Sequence, residues 1–272
     1  MSKLLFGGAV FVALAVSPAM AADAARPAPV YTKAPIASAY DWNGSYIGIN
    51  GGGAWGTFDT RTSTVFSPIG YFATTSVPAI AGAGLLSFKP TSITGGGQIG
   101  HNVQTGIMVY GLEADINYLH LSGSAAGGAT YPCCAPTAFT INASANTDWL
   151  ITARARFGIA ANNWLVYVTG GPAFTSVKGS FVFRDTFATA AESASISNSL
   201  NIGIAGGAGI EAGLMTGWTM KAEFLYVDFG SVTVHSSNLT AFAPPIVFPA
   251  NTFTHSVNLK STIARVGLNY RY

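Results

Sequence analysis

Three features of the 272-residue chain predict an all-β fold that crosses a membrane. Apolar and polar side chains alternate along segments close to the ~9–11 residues that a transmembrane strand needs. Only 9% of the residues are charged and 49% are hydrophobic, whereas an ordinary soluble domain carries about 25% charged residues. After residue 21 the chain has no apolar run long enough for a membrane-spanning helix. We therefore predict an antiparallel, up-and-down transmembrane β-barrel, which distributes its apolar residues by alternation.

The C-terminal segment, residues 262–272, shows this alternation most clearly. Its apolar and aromatic positions are Val266, Leu268, Tyr270 and Tyr272. The intervening positions are Arg265, Gly267, Asn269 and Arg271. Successive side chains of a strand point to opposite faces, so one face would meet lipid and the other a polar lumen. A soluble edge strand is the alternative, but such a strand seldom carries two arginines.

The same pattern predicts eight strands in all. They lie at about residues 44–56, 92–104, 107–119, 149–160, 164–174, 200–214, 218–230 and 262–272. Long loops are predicted at 57–91, 120–147, 175–199 and 231–261, and they alternate with short turns. An even number of strands lets a barrel close without a free edge. Long loops outside the cell, with short turns and both termini in the periplasm, are typical of outer-membrane barrels.

The N-terminal region predicts export. Residues 1–21 resemble a signal peptide, with Lys3 before an apolar stretch and a cleavage site that ends in Ala19 and Ala21. A membrane anchor is the alternative, although the apolar stretch is short for a span. Residues 22–42, rich in proline and alanine, are expected to form a periplasmic tail. Residues 43–272 would then be the barrel domain.

Nine charged residues are predicted to face the lumen. They are Glu113, Asp115, Arg154, Arg156, Glu211, Lys221, Glu223, Arg265 and Arg271. An eight-stranded barrel has room only for side chains inside, and unpaired charges there would be costly. We expect Glu113 and Asp115 to pair with the arginines of the next strand, and Glu223 with Arg265. This network would plug the lumen; a narrow ion path along the same groups is the alternative.

Other chemistry is weakly supported. The adjacent Cys133 and Cys134 match no zinc or redox motif, so they are interpreted as a loop feature, with a vicinal disulfide possible in an oxidising compartment. His120 and Ser122 are the one candidate pair for an enzyme that modifies lipids, but no positioned acid or oxyanion donor is apparent. The remaining histidines, His101, His235 and His255, are expected at the surface or in an aromatic girdle. No enzyme activity, cofactor or metal site is predicted.

Five short segments resemble a known family. They are residues 41–48, 97–102, 110–115, 154–158 and 221–226. In this order they resemble the alphaproteobacterial outer-membrane immunogenic proteins, which are porin-family β-barrels related to OmpA-like surface antigens. The resemblance implies an eight-stranded outer-membrane barrel with a surface-antigen role and without catalytic residues. The closing aromatic residue also resembles the C-terminal signal that the barrel-assembly machinery reads.

The function expected from the sequence is envelope integrity and surface presentation by an integral protein of a bacterial outer membrane. A small-solute porin and a loop-mediated adhesin are the alternatives. The expected partners are outer-membrane lipid and lipopolysaccharide, the barrel-assembly machinery during biogenesis, and either peptidoglycan or host and surface ligands. Nucleic acid is not expected, because the chain has no basic cluster.

Overall fold

A computed structural model describes residues 40–272, apart from the side chains of Asn198 and Ser199. The predicted signal peptide, its cleavage residues Ala19 and Ala21, and residues 22–39 of the predicted tail lie outside the described residues.

The described chain is almost entirely antiparallel sheet. In chain order its elements are β1 (Gly44–Thr64), α1 (Ser76–Ala83), β2 (Leu85–Phe88), β3 (Thr91–Thr105), β4 (Met108–Thr130), β5 (Ala138–Ala161), β6 (Trp164–Asp185), β7 (Ala191–Met215), β8 (Trp218–Ser236), β9 (Thr240–Ala241), β10 (Ile246–Val247) and β11 (Phe253–Arg271). The eight long strands each pair with their neighbours, and β1 pairs with β11. This ring confirms the predicted eight-stranded antiparallel barrel.

None of the helices among residues 40–272 has the length and apolar character needed to cross a membrane.

Three short turns join the strands at one end of the barrel, as predicted. They follow β3, β5 and β7, and each contains a residue with positive φ: Gly106, Asn162 or Gly217. Glycine and asparagine adopt this backbone conformation more readily than other residues. We call the strand segments between these turns and the register shifts near residues 119–120, 148, 178 and 259 the lower barrel. The segments beyond those shifts are the upper barrel.

The predicted alternation is present throughout the lower barrel. On β4 the side chains of Leu112, Ile116 and Tyr118 are exposed, whereas Glu113 and Asp115 between them are buried. The outward residues of the C-terminal strand are likewise exposed. They are Val266, Leu268 and Tyr270, followed by Tyr272 beyond the strand end. The exterior of the lower barrel is therefore apolar and its interior polar.

The predicted bounds of three of the four long loops are wrong over much of their length, because the strands continue through them. β4 runs to Thr130 and β5 begins at Ala138, so the second connection is only residues 131–137. The third connection shortens to residues 186–190, and the fourth to residues 237–252, which include β9 and β10. The first, residues 65–90, remains a long connection; it contains α1 and β2, and β2 pairs with β1.

The strands of the upper barrel were not predicted, because their apolar residues face the interior and their polar residues face outward. Its interior is an apolar cluster whose larger members are Phe58, Leu119, Leu121, Phe181, Val257 and Leu259. Its outward positions include exposed or half-buried small polar residues such as Ser122, Ser124, Asn142 and Ser144. Such a segment lacks the outward apolar stripe of a membrane-spanning strand, because its apolar residues point inward, and it is therefore predicted to be a loop.

A second apolar cluster closes the outer end of the barrel. It includes Phe72, Ile80 of α1, Phe139, Phe183 and Phe253. Cys133 and Cys134 form a disulfide in the β4–β5 connection, and Cys134 packs against this cluster. The cysteines therefore lie in a connection, as expected.

A buried carboxylate fastens three of these outer connections. Tyr71 donates a hydrogen bond of 2.6 Å to Oδ2 of Asp185, and Tyr131 donates one of 3.1 Å to the same oxygen. Burial raises the pKa of both tyrosines, and the neighbouring Asp185 raises the pKa further. We call Tyr71, Tyr131 and Asp185 the clasp; together they join the β1–α1, β4–β5 and β6–β7 connections.

Candidate functional site

Strand alternation and register bring the predicted lumen charges together in the lower barrel. Three acid–base pairs lie directly opposite each other on neighbouring strands: Glu113 with Arg154, Glu211 with Lys221, and Glu223 with Arg265. Residues directly opposite on one face have Cβ atoms about 4.5–5.5 Å apart. Local pairing alone therefore places these opposite charges close together.

Arg154 lies at the centre of the network. Its Nη2 atom lies 2.7 Å from Oε1 of Glu113 and 2.7 Å from Oδ2 of Asp115. Its Nη1 atom lies 3.1 Å from Oε1 of Glu223, which projects from β8. One guanidinium therefore joins carboxylates of β4 and β8, two strands that do not pair with each other.

Two further cations complete this layer. Nζ of Lys221 lies 2.7 Å and 2.8 Å from the two carboxylate oxygens of Glu113. Nη2 of Arg265 lies 2.6 Å from Oε2 of Glu223 and 3.1 Å from Oδ2 of Asp115. Each carboxylate of this layer thus contacts at least two cations.

Arg156 and Glu211 extend the network. Nη2 of Arg156 lies 2.5 Å from Oε2 of Glu211, and Nη1 donates a bond of 2.6 Å to the Tyr46 hydroxyl. Tyr46 in turn donates a bond of 2.7 Å to Glu113. The guanidinium also lies 3.9 Å from the ring centroid of Tyr167, a distance typical of cation–π contact. Aromatic and charged side chains thus fill the same cross-section.

Eight of the nine predicted lumen residues take part in this network, four acidic and four basic. Within residues 40–272, Arg271 forms no ion pair with the other eight. Its guanidinium lies instead 4.8 Å from the ring centroid of Tyr40. The network is therefore neutral when all its groups are ionised, which the predicted set of nine was not.

Apolar layers flank the ionic network. Next to the short turns, Trp42, Val109, Leu165 and Tyr167 form a buried cluster. Trp42 was predicted to belong to the periplasmic tail, but its side chain is only 2% exposed. On the other side lies the apolar interior of the upper barrel. The burial of Trp42 is not predicted from the sequence, because one aromatic residue beside the start of a strand gives no periodic signal.

His255 was also misplaced by the sequence reading. It is fully buried rather than at the surface, with its ring stacked on Phe181 at 4.6 Å. Nδ1 lies 2.9 Å from the Thr62 hydroxyl, and Nε2 lies 3.2 Å from Oε2 of Glu192. The sequence does indicate this burial, because His255 lies on the same face of its strand as the apolar Val257. The other two histidines, His101 and His235, are exposed as expected.

The candidate pair for lipid modification lies on the outer wall of the barrel. His120 and Ser122 are both exposed on β4. Oδ1 of Asp148 lies 2.9 Å from Nδ1 of His120, so the acid that the sequence reading did not find is present on β5. No local sequence pattern links Asp148 to His120, because only the pairing of β4 with β5 brings the two residues together.

Comparison with known proteins agrees with the fold. The family described as outer membrane protein beta-barrel domain matches residues 9–271. A 31 kDa outer-membrane immunogenic protein of Brucella melitensis is 32% identical over 268 residues, covering 97% of this chain and 98% of that protein. A 22 kDa outer membrane protein of Rhizobium leguminosarum is 31% identical over 138 residues, covering 50% of this chain and 53% of that protein.

Among solved structures, the outer membrane protease OmpT from Escherichia coli superposes with a TM-score of 0.40 at 9% identity, covering 85% of this chain and 97% of that chain. A likeness this distant says nothing about activity.

Proposed function

We propose, from the premise that this chain belongs to the outer membrane β-barrel family, that it is a non-conducting surface protein whose lumen is closed by an ionic plug. It is an integral outer-membrane protein, and its relatives include immunogenic outer-membrane proteins. Its proposed role is to support envelope integrity and to present the outer end of the barrel at the cell surface, without catalysis.

The observation that carries this proposal is the neutral, buried set of eight charges between two apolar layers. A passing ion would have to displace charge-assisted hydrogen bonds such as those of Arg154. It would then have to cross the apolar interior of the upper barrel, where a charge without partners is strongly disfavoured. Both requirements favour a sealed lumen over a pore.

The absence of catalysis is proposed on geometric grounds. The ring of His120 stacks on Tyr118, with centroids 6.2 Å apart, and its Nδ1 contacts Asp148. No hydrogen bond joins His120 to Ser122 in the described part of the chain. A nucleophile and its base should lie within hydrogen-bond reach, although such bonds are often looser without substrate. Among the described residues, no group of three or more side chains could hold a metal ion.

Single-channel conductance of the refolded mature protein in planar bilayers tests the proposal. We expect stable insertion without steady conductance, with folding verified by the mobility difference between heated and unheated samples on a gel. Reproducible open steps that change in the Arg154→Gln or Glu113→Gln variant would contradict the plug and support the small-solute porin. The Arg184→Gln variant is the matched control, because Arg184 is exposed in the upper barrel.

A loop-mediated adhesin is favoured by one further observation. The connections at the outer end expose large apolar side chains: Ile69, Phe187, Phe242, Ile246 and Val247 are each more than half exposed or close to it. Exposed apolar patches often mark interaction sites. Replacing residues 242–247 by a Gly-Ser segment should abolish surface attachment of expressing cells without altering the gel mobility shift. Unchanged attachment would exclude this part of the surface.

The remaining partners are proposed on general grounds. Outer-membrane lipid and lipopolysaccharide would surround the lower barrel, and the barrel-assembly machinery would bind the strand ending in Tyr270 and Tyr272 during biogenesis. Peptidoglycan, and host or surface ligands, are proposed partners at the two ends of the molecule.

A further inference from the structure

β-Bulges occur in several strand pairs where the lower barrel meets the upper barrel. Between β4 and β5, two residues, Leu119 and His120, lie opposite the single residue Asp148. Register shifts also occur between β5 and β6, between β6 and β7 at Lys178, and between β8 and β11 next to Lys260. Bulges are common at barrel rims, where they redirect side chains. Here each bulge contains or adjoins a charged residue.

The outer wall changes from apolar to polar at these bulges. On β4 the outward residues below the bulge end with Ile116 and Tyr118, and those above it begin with Ser122 and Ser124. Tyr118 lies opposite Trp149 of β5 in the strand register, and aromatic girdles mark the boundary of the hydrocarbon layer. The bulges therefore lie just above this girdle, where the lipid headgroups of the outer leaflet are expected.

Three polar, ionisable side chains form a connected cluster at this level. Asp148 is the common partner: its Oδ1 lies 2.9 Å from Nδ1 of His120, and its Oδ2 lies 3.0 Å from Nζ of Lys178. His120 and Lys178 come from β4 and β6, on either side of β5, and both side chains are 49% exposed. One carboxylate thus holds two nitrogen donors side by side on the lipid-facing wall.

We propose that His120, Asp148 and Lys178 form a site for the phosphate of an outer-leaflet lipid headgroup. Asp148 positions the cluster by accepting one hydrogen bond from each neighbour. The remaining protons of the Lys178 ammonium are then available to a phosphate, and Nε2 of His120 can also donate to it when the imidazole carries both protons; phosphate accepts strong charge-assisted bonds. The acyl chains of the same lipid would lie along the apolar wall below, beside Tyr118 and Ile116.

Charge around the rim favours an anionic partner. The other exposed or half-buried charged residues near this level are Asp59, Arg61, Lys89, Asp228 and Lys260. With Lys178 and Asp148 they make four basic and three acidic residues, so the rim is positive even with His120 neutral. Basic residues at a membrane surface attract anionic headgroups. The site does not depend on the lumen, so it stands whether or not the barrel conducts.

Native mass spectrometry of the refolded full mature chain, with bisphosphorylated lipid A as the probe, tests the site. The wild-type protein should retain bound lipid A, and the dephosphorylated form of the same lipid should bind more weakly. In the His120→Gln/Lys178→Gln double variant, apparent affinity should fall about tenfold or more, since the charge of Lys178 and the imidazole contact of His120 are both lost. The Arg184→Gln variant removes a charge from the upper barrel and should bind as the wild type does.

Two results would overturn the site. One is equal binding of phosphorylated and dephosphorylated lipid A, which would mean that only the acyl chains are recognised. The other is unchanged affinity in a double variant that folds, as judged by its gel mobility shift. Competition by inorganic phosphate at concentrations similar to those of the lipid would show that a free anion, rather than a lipid headgroup, is the ligand.

Discussion

The lower and upper halves of this barrel are made of the same eight strands but reverse the placement of polar and apolar residues. In the lower barrel the exterior carries residues such as Ile116, and the interior carries Arg154 and its carboxylates. In the upper barrel the exterior carries Ser124, and the interior carries Phe181. The medium outside explains the reversal: lipid favours apolar side chains, whereas water lets a strand turn its apolar face inward.

The two halves are consequently held together by different interactions. Charge-assisted hydrogen bonds fill the lower lumen, while the upper barrel has an apolar core like that of a soluble β-protein. The change occurs over a few residues of each strand, where the bulges lie. Substitutions at matched positions in the two halves should therefore have unequal effects.

The largest effect is expected from removing the central cation of the lower lumen. The Arg154→Ala variant leaves Glu113, Asp115 and Glu223 with fewer cationic partners in a buried site. Breaking a buried ion network by removing one partner costs about 3–5 kcal/mol. We expect the free energy of unfolding, measured by urea titration in lipid vesicles, to fall by about that amount.

The matched control is Arg184→Ala, because Arg184 is exposed on the upper barrel. Surface substitutions usually change stability by less than about 0.5 kcal/mol. If both variants unfold at the same urea concentration, the lower lumen does not depend on its ion network. The Arg156→Ala variant should resemble Arg154→Ala, since Arg156 pairs with Glu211.

A smaller difference is expected on the outer wall of a single strand. Ile116 and Ser124 both face outward on β4, one in each half. The Ile116→Arg variant places a charge in the hydrocarbon close to its upper boundary and should cost about 1–2 kcal/mol, because the cost falls from about 2–4 kcal/mol at the midplane towards the interface. The Ser124→Arg variant places the same charge in water and should be close to neutral.

Urea unfolding in vesicles measures both arginine variants. Equal losses would mean that lipid covers Ser124 as well, and that the boundary lies above the bulges. Equal tolerance would place Ile116 outside the hydrocarbon layer.

The smallest effect is expected at the outer tips, in the clasp of Tyr71, Tyr131 and Asp185. Burial raises the pKa of both tyrosines in the folded state. As pH rises above about 10, the usual tyrosine pKa, Tyr71 and Tyr131 lose their hydroxyl protons in a state whose outer connections have separated (open tips) before they do so in the folded state (closed tips). The stability of the closed tips therefore falls as pH increases, and protease cleavage of the outer connections should increase above that pH.

The Tyr71→Phe/Tyr131→Phe variant removes both titrating groups, so its cleavage should depend less on pH than that of the wild type. Tyr226→Phe, on the exposed wall of β8, is the control and should retain the wild-type dependence. Identical pH profiles for all three proteins would contradict a role of the clasp in this response.

Two kinds of contact in the lumen differ in how well the sequence predicts them. The pairs Glu113–Arg154 and Glu223–Arg265 follow from alternation and from strands that are neighbours along the chain. The contact between Lys221 and Glu113 joins residues 108 positions apart. It depends on which side chains point at each other across a closed barrel. No local pattern contains that information, because it arises only when the ring closes.

The sequence by itself determined the barrel, its eight strands, its short turns and the polar stripe of the lower lumen, because lipid requires strict alternation and leaves a periodic signal. Only the tertiary structure decided how far the strands extend beyond the bulges, and it buried Trp42. It also assigned Arg271 to Tyr40 rather than to the ion network. Those outcomes depend on contacts between distant segments and on the water outside the upper barrel, which lets the apolar stripe of each strand point inward instead of outward.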